Sequence, residues 1–195
     1  DLAPCKYLGE LSRALGIEVT WSDDRTSVNL STVSKVNDLL LRNNMMESKG
    51  RFTPLVPNCK LQDDLDSDLL DDAGKLRYRS IVGSLLYIMR CNRPDLAYAA
   101  WYLACGMQGP TEALMKQAVH CLRYLRSTSD VSLVYSLKSR DAAEGMLDLS
   151  SIRYDSNDVT GFCDSNWMPK RSVSSTILVC CNAALFWRVR KQNSV

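Results

Sequence analysis

Apolar and polar positions change their period along this chain. They alternate over Ile17-Glu18-Val19-Thr20-Trp21 and again over Ser27-Val28-Asn29-Leu30, on either side of the turn-forming Ser22-Asp23-Asp24-Arg25. A period of two flanking such a tetrapeptide predicts a β-hairpin. Val33, Val36, Leu39 and Leu40 then share one helical face, predicting a helix from Thr32 to about Asn43. Phe52–Lys60 carries Pro54 and Pro57 and is expected to be extended.

The middle third reads as a helical bundle. One helix is expected from about Leu76 to Met89, with Gly83-Ser84 permitting close approach of a neighbour. A second opens at Pro94-Asp95, a proline and an acid in the first turn, and continues to about Cys105. It is apolar nearly all round, which predicts the central buried helix. Gly106 and Gly109-Pro110 break it, and Thr111 caps a third helix running to about Ser127. Alternation returns at Val131–Leu137, Ser139–Asp158 is polar, and Val159–Cys163 ends on Asp164. Thr176–Cys181 and Ala184–Val189 follow, parted by Asn182-Ala183. Three antiparallel strands are expected there. The fold class is therefore α+β: an N-terminal β-hairpin, a central helical bundle and C-terminal antiparallel strands.

Composition narrows this picture. The 195 residues are 46% hydrophobic with a net charge of +2, which argues for packed domains over whole-chain disorder. The longest apolar run, Leu96–Cys105, is ten residues, half of what a spanning helix needs, so no membrane partner is expected. No signal peptide is visible, and an intracellular, cytoplasmic location is expected. The one histidine, His120, excludes multi-His metal sites. The eight cysteines include no Cys-x-x-Cys pair, so structural zinc is not expected. Cys105, Cys121 and Cys180 lie in apolar segments, and the set is read as reduced core thiols.

The charge is unevenly spread. Residues 1–72 hold 8 basic and 13 acidic side chains, whereas residues 73–195 hold 16 basic and 9 acidic. Much of the negative charge lies in Gln62–Asp72. Its Asp64, Asp66 and Asp68 have the spacing of a calcium loop, but Leu69 and Lys75 occupy the positions that such a loop gives to Gly and Glu. A solvated acidic linker is expected instead. On the third helix, Leu114, Ala118, Cys121, Leu122 and Leu125 share one side, while Lys116, His120, Arg123 and Arg126 take the other. That stripe is either an ordinary solvated face or a track that neutralises nucleic-acid phosphates.

Several motifs carry a resemblance. Tyr78-Arg79-Ser80-Ile81-Val82-Gly83-Ser84-Leu85-Leu86-Tyr87, Arg93-Pro94-Asp95-Leu96-Ala97-Tyr98-Ala99 and Leu122-Arg123-Tyr124-Leu125-Arg126 occur in that order. Gly161-Phe162-Cys163-Asp164-Ser165-Asn166-Trp167 and Phe186-Trp187-Arg188-Val189-Arg190-Lys191-Gln192 follow. With Leu8-Gly9-Glu10-Leu11, Leu15–Val19 and Thr53-Pro54-Leu55 upstream, the chain resembles copia-type (Pseudoviridae) retrotransposon polyproteins. The stretch is that of the reverse transcriptase thumb and connection, running into the start of the ribonuclease H domain.

The resemblance implies a division. Residues 1–31 would be the end of the polymerase palm, 32–135 the thumb and connecting helices, 136–158 a linker, and 159–195 a truncated, incomplete ribonuclease H-like domain. The partners it implies are a template–primer duplex or RNA–DNA hybrid and the rest of the polyprotein, in an intracellular element particle. Asp164 matches the family's first ribonuclease H carboxylate, a catalytic ligand for Mg²⁺ in the parent enzyme. Two-metal cleavage needs several convergent carboxylates. The family's polymerase aspartates would precede residue 1, and its next ribonuclease H acid would follow Val195. Asn166 replaces a second acid, Ser175 and Cys181-Asn182 replace glycines, and Met168-Pro169-Lys170 replaces Ala-Gly-Asp. The expectation is a catalytically incomplete fragment that binds no Mg²⁺ by itself. A non-catalytic nucleic-acid-binding module using Lys116, Arg123 and Arg126, or a functionless relic, are the alternatives.

Overall fold

A computed structural model describes residues 9–136, 158–166 and 172–193. Strand β1 (Arg13–Ala14), β2 (Ile17–Trp21) and β3 (Ser27–Ser31) form an antiparallel sheet, with Val19 paired to Leu30. The hairpin turn is held by its own side chains. The Asp24 carboxylate accepts from Ser22 Oγ, Thr26 N and Thr26 Oγ1 at 2.8, 3.1 and 2.8 Å. Strand β4 (Leu133–Ser136) returns after the whole helical region to pair with β3, Leu30 facing Leu133. The helices are thus one long excursion between neighbouring strands of a single sheet.

The excursion contains α1 (Val33–Arg42), α2 (Leu61–Leu65), α3 (Asp72–Asn92), α4 (Ala97–Ala104) and α5 (Glu112–Ser127). A 3-10 turn over Pro94–Leu96 leads into α4, so the second expected helix begins in a tighter turn and becomes α-helical only at Ala97. Val36, Leu39, Ile81, Val82, Leu85, Leu103, Leu114, Leu122 and Leu125 form one buried core. Helix α5 packs against α1, α2, α3 and α4, and α3 packs against α1, α4 and α5. The second helix packs against α3, α5 and β7, but it is not buried all round as its apolarity suggests: α4 buries Ala97, Ala99, Ala100, Tyr102 and Leu103, leaves Tyr98 exposed and half-buries Trp101. Gly83 is also not a close-approach point, since a Cβ there would meet nothing within 4 Å. Close approach occurs at Gly106, where a Cβ would overlap Leu114 Cδ1.

Polar side chains fix the joints. Thr32 Oγ1 donates to Asn92 Oδ1 at 2.6 Å, and Asn92 Nδ2 donates to the Leu30 carbonyl at 2.9 Å, tying the end of α3 to the sheet. Tyr78 OH donates to the Leu103 carbonyl at 2.6 Å and joins α3 to α4. The acidic segment is more than a solvated linker. Tyr102 OH donates to Asp64 Oδ2 at 2.7 Å, Asp71 caps α3 by accepting from Gly74 N at 2.7 Å, and Glu112 N donates to the Asp68 carbonyl at 2.8 Å.

A second sheet is a meander of β5 (Thr160–Asn166), β6 (Val173–Cys180) and β7 (Ala183–Lys191). The expected break at Asn182-Ala183 falls one residue earlier. Cys181 and Asn182 take positive φ of 50° and 63° to make the turn, and Ala183 already pairs with Cys180. Strand β7 packs on α4, and Trp187 Nε1 donates to the Met89 carbonyl at 3.0 Å. Cys121 is buried as expected, but Cys105 is exposed and Cys180 half-buried, because each lies where its element meets solvent. The expected linker 136–158 lies almost wholly outside the described residues, as do Trp167 and Met168-Pro169-Lys170.

Candidate nucleic-acid interface

Helix α5 begins where Thr111 accepts from Leu114 N at 3.3 Å, so the first turn is capped as its sequence expects. Leu114, Ala118, Cys121, Leu122 and Leu125 are fully buried, which fixes the rotation of the helix about its axis. Burial pushes the Cys121 thiol up to about 12. The stripe residues consequently face outward, with Lys116 and Arg126 exposed and His120 and Arg123 half-buried.

The stripe is not bare. The chain after α1 crosses it, held by backbone and side-chain contacts. Arg51 N donates to the Arg123 carbonyl at 3.2 Å, His120 Nε2 lies 3.0 Å from the Thr53 carbonyl, and Arg126 Nε donates to the Met46 carbonyl. Gly50 is the crossing point: a Cβ there would overlap Ser127 Oγ. The crossing segment brings Lys49 and Arg51, both exposed, to the side of α5 that carries Lys116, Arg123 and Arg126. Glu47 is the acid on the same segment. Burial lowers the His120 imidazole below its ordinary range; the Thr53 carbonyl opposes that shift, and Arg51 and Arg123 reinforce it. Lys49 and Arg51 gave no periodic signal in the sequence, since they belong to an irregular segment placed by glycine and not by an apolar stripe.

Two other sequence motifs meet beside this face. The Arg93 side chain is buried and donates to Asp95 Oδ2 at 2.7 Å, to the Thr128 carbonyl at 2.8 Å and to Thr128 Oγ1 at 2.7 Å. Tyr124 OH donates to the same Asp95 oxygen at 2.8 Å, and its ring lies 5.8 Å from the Arg93 guanidinium carbon. This network locks the turn before α4 to the last turn of α5. Its role is positional.

Asp164 lies near the middle of β5, an edge strand, and is exposed. Its Oδ1 accepts from Ser165 N at 2.8 Å, and its cross-strand neighbour is Ser175. Asn166 Oδ1 accepts from Val173 N at 3.0 Å and closes the β5–β6 ladder. The structure does not bring Asp164 together with the basic face residues. Among the described residues no cluster of three or more His, Cys, Asp or Glu side chains converges as a metal site. One solvated carboxylate does not fit a pair of hard cations that needs several oxygen ligands.

Comparison with known proteins adds an independent line. The chain is 27% identical over 193 residues to the retrovirus-related Pol polyprotein from transposon TNT 1-94 of Nicotiana tabacum, a match over 97% of this chain and 14% of that protein. The chain is similar to retrotransposon polyproteins along nearly its whole length. It is also 28% identical over 145 residues to the putative transposon Ty5-1 protein of Saccharomyces cerevisiae, covering 74% of this chain and 46% of the relative. The secreted RxLR effector protein 161 of Plasmopara viticola matches over 122 residues at 27% identity, covering 60% of this chain and 75% of that protein. The chain thus spans less than half the length of both transposon relatives. No family model and no solved structure matches it.

Proposed function

We propose that this chain is a segment of a copia-type retrotransposon polyprotein, from the reverse transcriptase thumb into the start of a ribonuclease H-like domain. In this reading it holds a nucleic-acid duplex through its phosphates. The observation that carries the reading is the basic face of α5, where Lys116, Arg123 and Arg126 stand with Lys49 and Arg51 from the crossing segment. Cations set along a rigid helix neutralise successive phosphates and release condensed counterions, which drives binding without reading sequence. The sequence similarity to transposon polyproteins supports the same reading from outside the geometry.

Asp164 descends, in this proposal, from the first metal-binding carboxylate of a ribonuclease H-like site. The described residues supply no companion ligands, so no cleavage step is assigned to it. The expected outcome with Mg²⁺ is no cleavage of an RNA–DNA hybrid above background, while the hybrid still binds with roughly micromolar affinity at moderate salt. Replacing Lys116, Arg123 and Arg126 together with Gln should weaken that binding at least ~tenfold with unchanged circular dichroism. Binding untouched by the triple variant would reduce the stripe to a solvated face. Asp164-dependent cleavage would overturn the reading of an incomplete catalytic site.

A further inference from the structure

Consecutive residues of a strand send their side chains to opposite faces of the sheet. Cys180 and Cys181 escape that rule, because Cys180 ends β6 and Cys181 opens the turn to β7 with a φ of 50°. Their Sγ atoms lie 3.7 Å apart, both thiols reduced and half-buried. Two sulfurs held ~2.3 Å from one centre at tetrahedral angles are ~3.8 Å apart, so this is the spacing of two ligands on one soft centre. A disulfide suits the pair poorly. Neighbouring Cα atoms are ~3.8 Å apart across a trans peptide, short of the ~4.4–6.8 Å that a disulfide usually spans.

A small pocket adjoins the pair. Trp21 faces Val28 and Val28 faces Tyr135 across adjacent strands, so the three side chains share one face of the first sheet. With Cys181 they line a pocket of about 140 Å³, close to the ~150 Å³ of a cavity that takes up benzene. Arg25 also lines it, paired with Glu10 and 5.7 Å from the Trp21 ring centre. The turn is tied to the same sheet. Ser136 N donates to the Cys181 carbonyl at 2.8 Å, and Asn182 Nδ2 donates to the Ser136 carbonyl at 3.1 Å. Thiols carried on a fixed turn lose little freedom when one ligand bridges them.

We propose that Cys180 and Cys181 form a chelating dithiol for a trivalent arsenical carrying one organic substituent, which lies against Trp21 and Tyr135. Among the described residues no third His, Cys, Asp or Glu joins the pair, which leaves a zinc ion short of its four ligands. A monosubstituted arsenical needs only two sulfurs, since carbon fills its third position. In its hydrated form two As–O bonds break and two As–S bonds form. The two oxygens leave as water with the thiol protons, arsenic stays trivalent, and nothing is oxidised or reduced. None of these residues belongs to the basic face of α5, so this inference is independent of the phosphate-binding reading.

The test is titration of the full reduced chain with phenylarsine oxide, followed by mass spectrometry of the intact chain and of its peptides. One tightly held adduct is expected on the peptide that contains both cysteines, resistant to excess monothiol and removed by ethanedithiol. Cys180→Ser and Cys181→Ser should each weaken it at least ~hundredfold, because a single thiol loses the chelate advantage. Cys105→Ser combined with Cys163→Ser should leave it intact. Trp21→Ala should weaken the phenyl adduct more than that of a methyl arsenical. An adduct that maps to other cysteines, or that monothiol displaces, would overturn the proposal even if the serine variants failed to fold. So would full retention of the adduct in either folded serine variant.

Discussion

Arg93 shows how a side chain that reads as a surface cation becomes a structural one. Its guanidinium is almost fully enclosed and bridges Asp95 to both oxygens of Thr128, which a planar fork can do and an ammonium cannot. Arg93→Ala strands the Thr128 carbonyl and removes the charged partner of Asp95, leaving it the Tyr124 hydroxyl. Because Asp95 keeps contact with water, the expected loss is about 3 kcal/mol by denaturant unfolding, near the lower end for a broken buried pair. Arg93→Lys should recover only part of it. A loss under about 0.5 kcal/mol would place the network outside the stabilising set. His120 makes a second residue-scale prediction. Its folded pKa lies below the unfolded one, so its contribution to stability is present above the ordinary imidazole range and is lost as pH falls through the lowered value. A proton NMR titration should give a midpoint below the free-histidine value of ~6.5. Bound duplex should raise that midpoint, since phosphates favour the imidazolium. A midpoint above the ordinary value in the free protein would contradict the burial seen here.

At the scale of elements, the helices were legible because each buries one face. The apolar side of α5 was readable from spacing alone, and all five of its named residues are fully buried. Burial of α4 on every side was not met, for a physical reason: small and aromatic residues raise apolarity all round a helix without telling which side stays open to solvent. The return of β4 to β3 was invisible, since pairing across about a hundred residues leaves no local pattern. The crossing segment was equally hidden. Its placement depends on Gly50, where a side chain would collide with Ser127. Gly50→Ala should therefore destabilise the chain by about 1–3 kcal/mol in chemical denaturation, the usual cost of overpacking. Adding Ser127→Ala should restore part of that loss. An Ala at position 50 that is tolerated without compensation would show that the segment does not lie on α5.

For the whole molecule, the charge asymmetry of the sequence has a spatial counterpart. Asp64 and Asp71 of the acidic segment are bonded to Tyr102 and Gly74 while Asp63, Asp66, Asp68 and Asp72 stay exposed, and cations collect on α5 and the irregular segment that crosses it. The sequence named three of those cations from helical spacing and missed Lys49 and Arg51, which tertiary placement alone brings there. Asp164 was legible as a strand residue and not as a site, because a metal site is a property of convergence and not of one position. The central claim is that the α5 face binds duplex phosphates. Its most direct test is the salt dependence of duplex binding by the native chain and by the Lys116, Arg123 and Arg126 triple Gln variant. The native chain should give a linear fall of log affinity with log salt, and the variant a slope shallower by about 2–3, one unit per lost phosphate contact. Identical slopes for the two proteins would contradict the account.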